Sequence, residues 1–145
     1  MSVTQIEALE ALKIVANDLE SMIIDVRTFE EFNFVGFIDL SKIEDGKKKL
    51  LMLPWRLYPK MDYNPDFQII LEEFLNKNFS NPKEVKIIFI CKSGGRSNEA
   101  AAYFSDLGYK NCYNIVGGFE GELNQENKRG KINGWKASNL DWGQK

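Results

Sequence analysis

The run from Val85 to Ile90, almost unbroken in apolar residues, constrains the fold of this chain more than any other feature. A strand with one face in water alternates apolar and polar residues. A strand that is apolar at consecutive positions is covered on both faces, and that is the condition of strands in parallel sheets flanked by helices. Met22–Val26 is a second run of this kind. Amphipathic segments with helical spacing lie before, between and after the two runs. The alternation predicts an α/β fold, a parallel β-sheet with helices on both faces.

Thr4 and Glu7 have capping-box spacing, and Ile6, Leu9, Leu12 and Ile14 follow on one helical stripe, so a first helix is expected from Gln5 to Asn17. Thr28-Phe29-Glu30-Glu31 repeats the capping-box signature and opens a short helix reaching Phe34. Residues 41–64, punctuated by Gly46, Pro54 and Pro59, are expected to be an irregular connection, with Lys47-Lys48-Lys49 as a solvated turn. Phe67, Ile70, Leu71, Phe74 and Leu75 mark a helix ending near Phe79, and Arg96–Leu107 another stopped by Gly108. Tyr113–Val116 is a further short strand. Residues 121–145 form a polar tail, which Trp135 and Trp142 are expected to anchor back onto the rest.

A length of 145 residues, with 43% apolar and 28% charged residues, fits one folded domain spanning 1–145. A net charge of −2 gives no electrostatic reason to expect nucleic acid or an anionic membrane as partner. No run is long enough to span a bilayer, and the first residues lack the basic and apolar regions of a secretory signal, so a cytoplasmic protein is expected. The two cysteines are accordingly read as thiols. Histidine is absent altogether. That removes the commonest general base and the commonest zinc ligand, and neither a metal nor a cofactor is expected. Any catalytic group must be activated without imidazole.

Cys91 meets that requirement. It stands where a buried strand passes through Lys92-Ser93-Gly94-Gly95 into a helix beginning near Arg96. Ligand sites of open α/β sheets lie at the carboxyl ends of the strands. Backbone N–H groups curled inward by the two glycines, continued by the free N–H groups of a helix N-terminus, make an anion site. With Lys92 and Arg96 nearby, this is the setting that favours a thiolate. Cys112 has no such surroundings and is expected to fill core space.

These residues, taken in order, resemble the rhodanese domain. The resemblance rests on Ile24-Asp25-Val26-Arg27 with Glu30-Glu31-Phe32, on Cys91-Lys92-Ser93-Gly94-Gly95-Arg96-Ser97, on Leu107-Gly108-Tyr109 and on Gly117-Gly118-Phe119, and spans roughly Thr4 to Trp142. It implies a rhodanese-like fold and a nucleophile, Cys91, at the head of a loop comprising Lys92, Ser93, Gly94, Gly95, Arg96 and Ser97. It also implies sulfurtransferase chemistry: Cys91 takes sulfane sulfur from a donor such as thiosulfate or a persulfide and passes it to a thiol, cyanide or a sulfur-accepting protein. The alternatives are a persulfide relay or interaction module with little free turnover, and a cysteine-dependent phosphatase. Phosphatases related to rhodanese carry one residue more between cysteine and arginine, and the shorter loop here suits a single sulfur atom better than phosphate. The resemblance departs at Gly36-Phe37-Ile38-Asp39-Leu40-Ser41, where the family often has Gly-His-Ile-Pro-Gly-Ala.

Asp25, Arg27 and Glu31 are expected to be structural supports, with Arg27 paired to Glu31 or to another carboxylate beneath the loop. Arg96 either points at an anionic group of the donor or braces the first turn of its helix. Ser93 and Ser97 are expected to hydrogen-bond within the loop. Trp55 and Tyr58 either pack over the sheet edge or wall the mouth of the site. Lys128-Arg129-Gly130-Lys131 is expected to be a solvated basic turn, able to attract an anionic donor.

Overall fold

A computed structural model describes residues 2–144. Its elements are β1 (Thr4–Ile6), α1 (Ala8–Asn17), β2 (Ser21–Asp25), α2 (Phe29–Phe34), β3 (Phe37–Ile38), β4 (Leu50–Met52), β5 (Arg56–Leu57), β6 (Asp62–Tyr63), α3 (Phe67–Asn78), β7 (Lys86–Ile90), α4 (Gly95–Asp106), β8 (Asn111–Ile115), α5 (Gly134–Ala137) and β9 (Trp142–Gly143). Five strands form one sheet in the order β1-β8-β7-β2-β4, with every pairing parallel. Among the described residues no helix is long and apolar enough to cross a membrane.

The two consecutive apolar runs become β2 and β7, which pair with one another inside the sheet. Their side chains alternate between two cores. Met22, Ile24, Ile87 and Phe89 pack with Phe67, Leu71 and Leu75 of α3 and with Ala100, Ala101 and Phe104 of α4. Ile23, Ile88 and Ile90 point the other way, onto Ala8, Ala11 and Val15 of α1 and Trp135 of α5. Helices therefore cover both faces. In the tail Trp135 is fully buried, and β9 pairs antiparallel with β3. The Gly36–Ser41 segment that departs from the rhodanese pattern supplies β3 for this pairing.

The structure corrects three expectations. The first helix starts at Ala8, and Thr4–Ile6 is an edge strand in parallel register with Tyr113–Ile115. The Thr4/Glu7 box does not form, because Thr4 is extended and hydrogen bonding along β8 takes precedence over a local cap. The connection 41–64 is only partly irregular. Leu50–Met52 joins the main sheet as its other edge beside β2, and Arg56–Leu57 with Asp62–Tyr63 makes a small hairpin. Lys49 is not solvated: it is buried, and its ammonium donates to the carbonyls of Val15 and Asp18 at the end of α1, where a cation satisfies carbonyls left over by the helix.

Candidate functional site

Strand β7 delivers Cys91 to the carboxyl edge of the sheet, and α4 begins four residues later. Gly94 has φ +116°, a value that side chains rarely allow, and turns the chain so that its own N–H donates to Cys91 Sγ at 3.1 Å. Sγ is thus held by a loop amide. The leading N–H groups of α4 have no partners within the helix and extend the same electropositive end. Cys91 itself is only 1% exposed.

A second turn clamps the loop from behind. Phe119 N–H donates to Cys91 O at 2.7 Å and Glu120 N–H to Lys92 O at 2.9 Å. Ser97, in the first turns of α4 and fully buried, has its hydroxyl oxygen 3.2 Å from Cys91 Sγ, 3.2 Å from Gly94 O and 2.5 Å from Asn114 Oδ1. One hydroxyl hydrogen serves one acceptor at a time, so Ser97 donates to Asn114, to the Gly94 carbonyl or to the sulfur, with Asn114 the nearest. Asn114 in turn donates to Gln5 Oε1 at 2.8 Å and Gly94 O at 3.3 Å. Sequence reasoning missed Asn114. The available signal was an asparagine inside a strand, where that residue type is depleted and rarely buried without a task.

The supports are arranged differently from the leading expectation. Arg27 does not pair with Glu31. It is bound side-on by Asp25, through Nε to Oδ1 at 2.9 Å and Nη2 to Oδ2 at 2.7 Å, and both residues are fully buried. Glu31 instead holds Arg96 through two bonds, Nη1 to Oε1 at 2.7 Å and Nη2 to Oε2 at 3.0 Å. Arg96 thus ties the loop to α2, the helix that Thr28 and Glu31 start with a complete capping box. Burial raises the Glu31 carboxyl, but the hydrogen bonds and charge of Arg96 outweigh it, and the net direction is down. A carboxylate depressed in the folded state contributes stability above its unfolded value of about 4.3 and loses it as pH falls through the lower folded value. Glu31→Gln should therefore cost about 1.5–3 kcal/mol at pH 7, typical of charged hydrogen bonds. Urea titrations at stepped pH should show that deficit shrinking below about pH 4.

Lys92 and Arg96 line a cavity of about 410 Å³ together with Glu30, Glu31, Phe34 and Tyr58. Tyr58 thus lines a cavity beside the loop, whereas Trp55 is buried against Phe67, Tyr63 and Tyr103. A larger cavity of about 550 Å³, lined by Trp55, Tyr63, Phe67 and Tyr103, includes no residue of the cysteine loop. In the expected basic turn, Arg129 is half-buried and donates to Gly121 O at 2.7 Å, so it is bound into the tail. Cys112 is a free, buried thiol, and burial pushes it up to about 12. It stays protonated at physiological pH and is a poor nucleophile.

A five-stranded parallel sheet with a cysteine-headed loop at the end of a central strand defines a class of α/β protein, and the comparisons place the chain within it. Residues 7–124 match the rhodanese-like domain family. The chain is 37% identical to the RP600 homolog of Rickettsia rickettsii over 142 residues, covering 98% of both, and 35% identical over the same length to RP600 of Rickettsia prowazekii. Its structure is similar to that of Rv0390 from M. tuberculosis, with a TM-score of 0.80, 29% identity and full coverage of both chains. A more distant likeness, with a TM-score of 0.60 and 20% identity, covers 99% of this chain and 80% of the polysulfide-sulfur transferase of Wolinella succinogenes, and concerns the fold alone. The chain belongs to the rhodanese-like domain family.

Proposed function

We propose that the protein is a sulfurtransferase that carries sulfane sulfur on Cys91 as a persulfide. The observation that carries this reading is Cys91 Sγ at the head of the loop, with the Gly94 N–H at 3.1 Å and the Ser97 hydroxyl at 3.2 Å. Those donors stabilise a sulfur anion without imidazole.

The Cys91 thiolate attacks the outer sulfur of a donor. A new S–S bond forms to Cys91, the donor's own S–S bond breaks, and its electron pair leaves with the remainder of the donor. In the second half-reaction a thiol or cyanide attacks the terminal sulfur, and Cys91 departs again as thiolate. The Ser97 hydrogen turns from Asn114 to Sγ whenever the sulfur bears charge. Sulfur donors and acceptors are the partners, and Lys92, Ser93, Gly94, Gly95, Arg96 and Ser97 make up the loop that receives the persulfide. Arg96, held twice by Glu31, is a brace for that loop. An arginine so engaged is poorly placed to clamp a phosphate, which disfavours the phosphatase reading.

Intact-mass analysis after incubation with a sulfane donor tests the reading. Wild type and Cys112→Ser should gain one sulfur atom that a reductant removes, and Cys91→Ser should gain none. Absence of loading with thiosulfate and with organic persulfides alike would refute it. Turnover in a thiosulfate and cyanide assay separates a free enzyme from a relay module, which loads once and releases little.

A further inference from the structure

The wall of the cavity beside the loop carries little net charge. Its two cations, Lys92 and Arg96, are matched by Glu30 and Glu31, and Arg96 is already committed to Glu31 in two hydrogen bonds. The remaining lining is largely apolar: Phe34, Val35, Tyr58 and Met61, with Thr28 beside them. Phe34 is 82% exposed and Tyr58 63% exposed, so two aromatic side chains stand in water around the cavity that Lys92 and Arg96 also line. An exposed apolar cluster on a soluble protein marks a place where something apolar docks. A small dianion gains little from such a wall, because the two carboxylates offset the attraction of the two cations.

We propose that the donor loading Cys91 is a small organic hydropersulfide, R–S–S–H, whose apolar R group lies against Phe34, Val35, Tyr58 and Met61, and that thiosulfate is a poor substitute. The inference rests on the reading of Cys91 as sulfur carrier and names the donor class for that site. A cavity of about 410 Å³ is in the range that small ligands fill. Cys91 thiolate attacks the outer sulfur of R–S–S–H, that sulfur and its proton become the terminal S–H of Cys91–S–S–H, and the S–S electron pair leaves with R–S⁻. Charge and atoms balance without an oxidant or reductant. With thiosulfate the corresponding leaving group is sulfite, a dianion, beside a wall that already carries Glu30 and Glu31.

The test measures the rate of Cys91 loading by intact mass, using methyl, butyl and benzyl hydropersulfide and thiosulfate. Each rate is divided by the rate of the same donor with a small free thiol, which cancels intrinsic reactivity. The normalised rate should rise about tenfold from methyl to benzyl, the low end of what one buried methylene supplies in a closed pocket. Phe34→Ser and Tyr58→Ser, both at exposed positions, should each reduce that benzyl-to-methyl ratio, and thiosulfate should stay below all three persulfides. Glu30→Gln should raise thiosulfate loading severalfold by removing one repelling charge.

A flat series from methyl to benzyl would overturn the inference, as would thiosulfate outrunning the persulfides, and either result leaves the sulfur-carrier reading standing. Fast loading by a persulfidated protein beside a flat small-molecule series would overturn it in favour of a protein donor. Failure of every donor to load Cys91 would instead remove the carrier reading on which it rests.

Discussion

Asp25→Ala should lower the stability of the protein by about 3–5 kcal/mol, the usual cost of removing one partner from a buried ion pair. The Arg27 guanidinium is fully buried and has little besides Asp25 to compensate it. Nη2 also donates to Gly36 O at 2.9 Å, and the guanidinium carbon sits 4.1 Å from the centre of the Phe119 ring. Among the described residues Nη1 has no hydrogen-bond partner. Arginine keeps its proton at any accessible pH, so deleting the carboxylate leaves a full charge in the core. Against a typical total of about 5–15 kcal/mol, that loss brings the chain close to unfolding at room temperature.

Urea unfolding at pH 7 reads the effect. The double variant Asp25→Leu with Arg27→Met should recover most of it, because a buried pair replaced by apolar groups of similar size is often neutral. If the double variant is as unstable as the single one, the loss comes from packing at Asp25 and the stranded charge is not its cause. Cys91 loading in the stable double variant then tests the supporting role: among the described residues the pair's side chains make no hydrogen bond to Sγ or to the loop, so loading should persist.

The parts of this molecule that were legible in its sequence are those fixed by local or two-sided burial. β2 and β7 could be read because each contacts a core on both faces, and such strands have no room for polar residues. The Thr28–Glu31 capping box could be read because all its partners lie within four residues. The cysteine loop announced itself for a similar reason, since strand end, glycines and helix start are contiguous.

Elements held by distant partners were not legible. β1 and β4 are short edge strands of three residues whose existence depends on β8 and β2. Lys49 looks like its two lysine neighbours until the end of α1 is placed above it. The partner of Glu31 lies 65 positions away. Glu31 stands one helical turn after Arg27, yet the guanidinium is taken by Asp25, two positions before it. Asn114 gains its meaning only when β8 lies beside the start of α4, where its oxygen competes with Sγ for one hydrogen of Ser97.

Apart from Cys91 itself, the largest effect on chemistry is expected from a residue that carries no functional group. Gly118 has φ +61°, and a Cβ there would overlap the carbonyl oxygen of Cys91 and stand 2.7 Å from the Lys92 carbonyl carbon. Both contacts are backbone, so no side-chain rotation relieves them. The loop cannot simply retreat, because the next two residues bind those same carbonyls: Phe119 N–H holds Cys91 O and Glu120 N–H holds Lys92 O. On the far side Gly118 O accepts from Trp135 N–H at 2.9 Å, which fixes the turn to the buried tail. Gly118→Ala must therefore displace Cys91 relative to the Gly94 and Ser97 donors. A misplacement of about 1 Å at a reacting group can cost about 100-fold in rate. Loading of Cys91 should fall by that order, read by intact mass at early times. Gly130→Ala is the matched control: its φ is +81° and, among the described residues, nothing lies within 4 Å of the added methyl, so it introduces the left-handed strain without the loop contact. It should cost about 1–2 kcal/mol of stability and leave loading unchanged. Equal losses of loading in the two variants would assign the effect to strain in general and remove the turn at Gly118 from the set of features that position the sulfur.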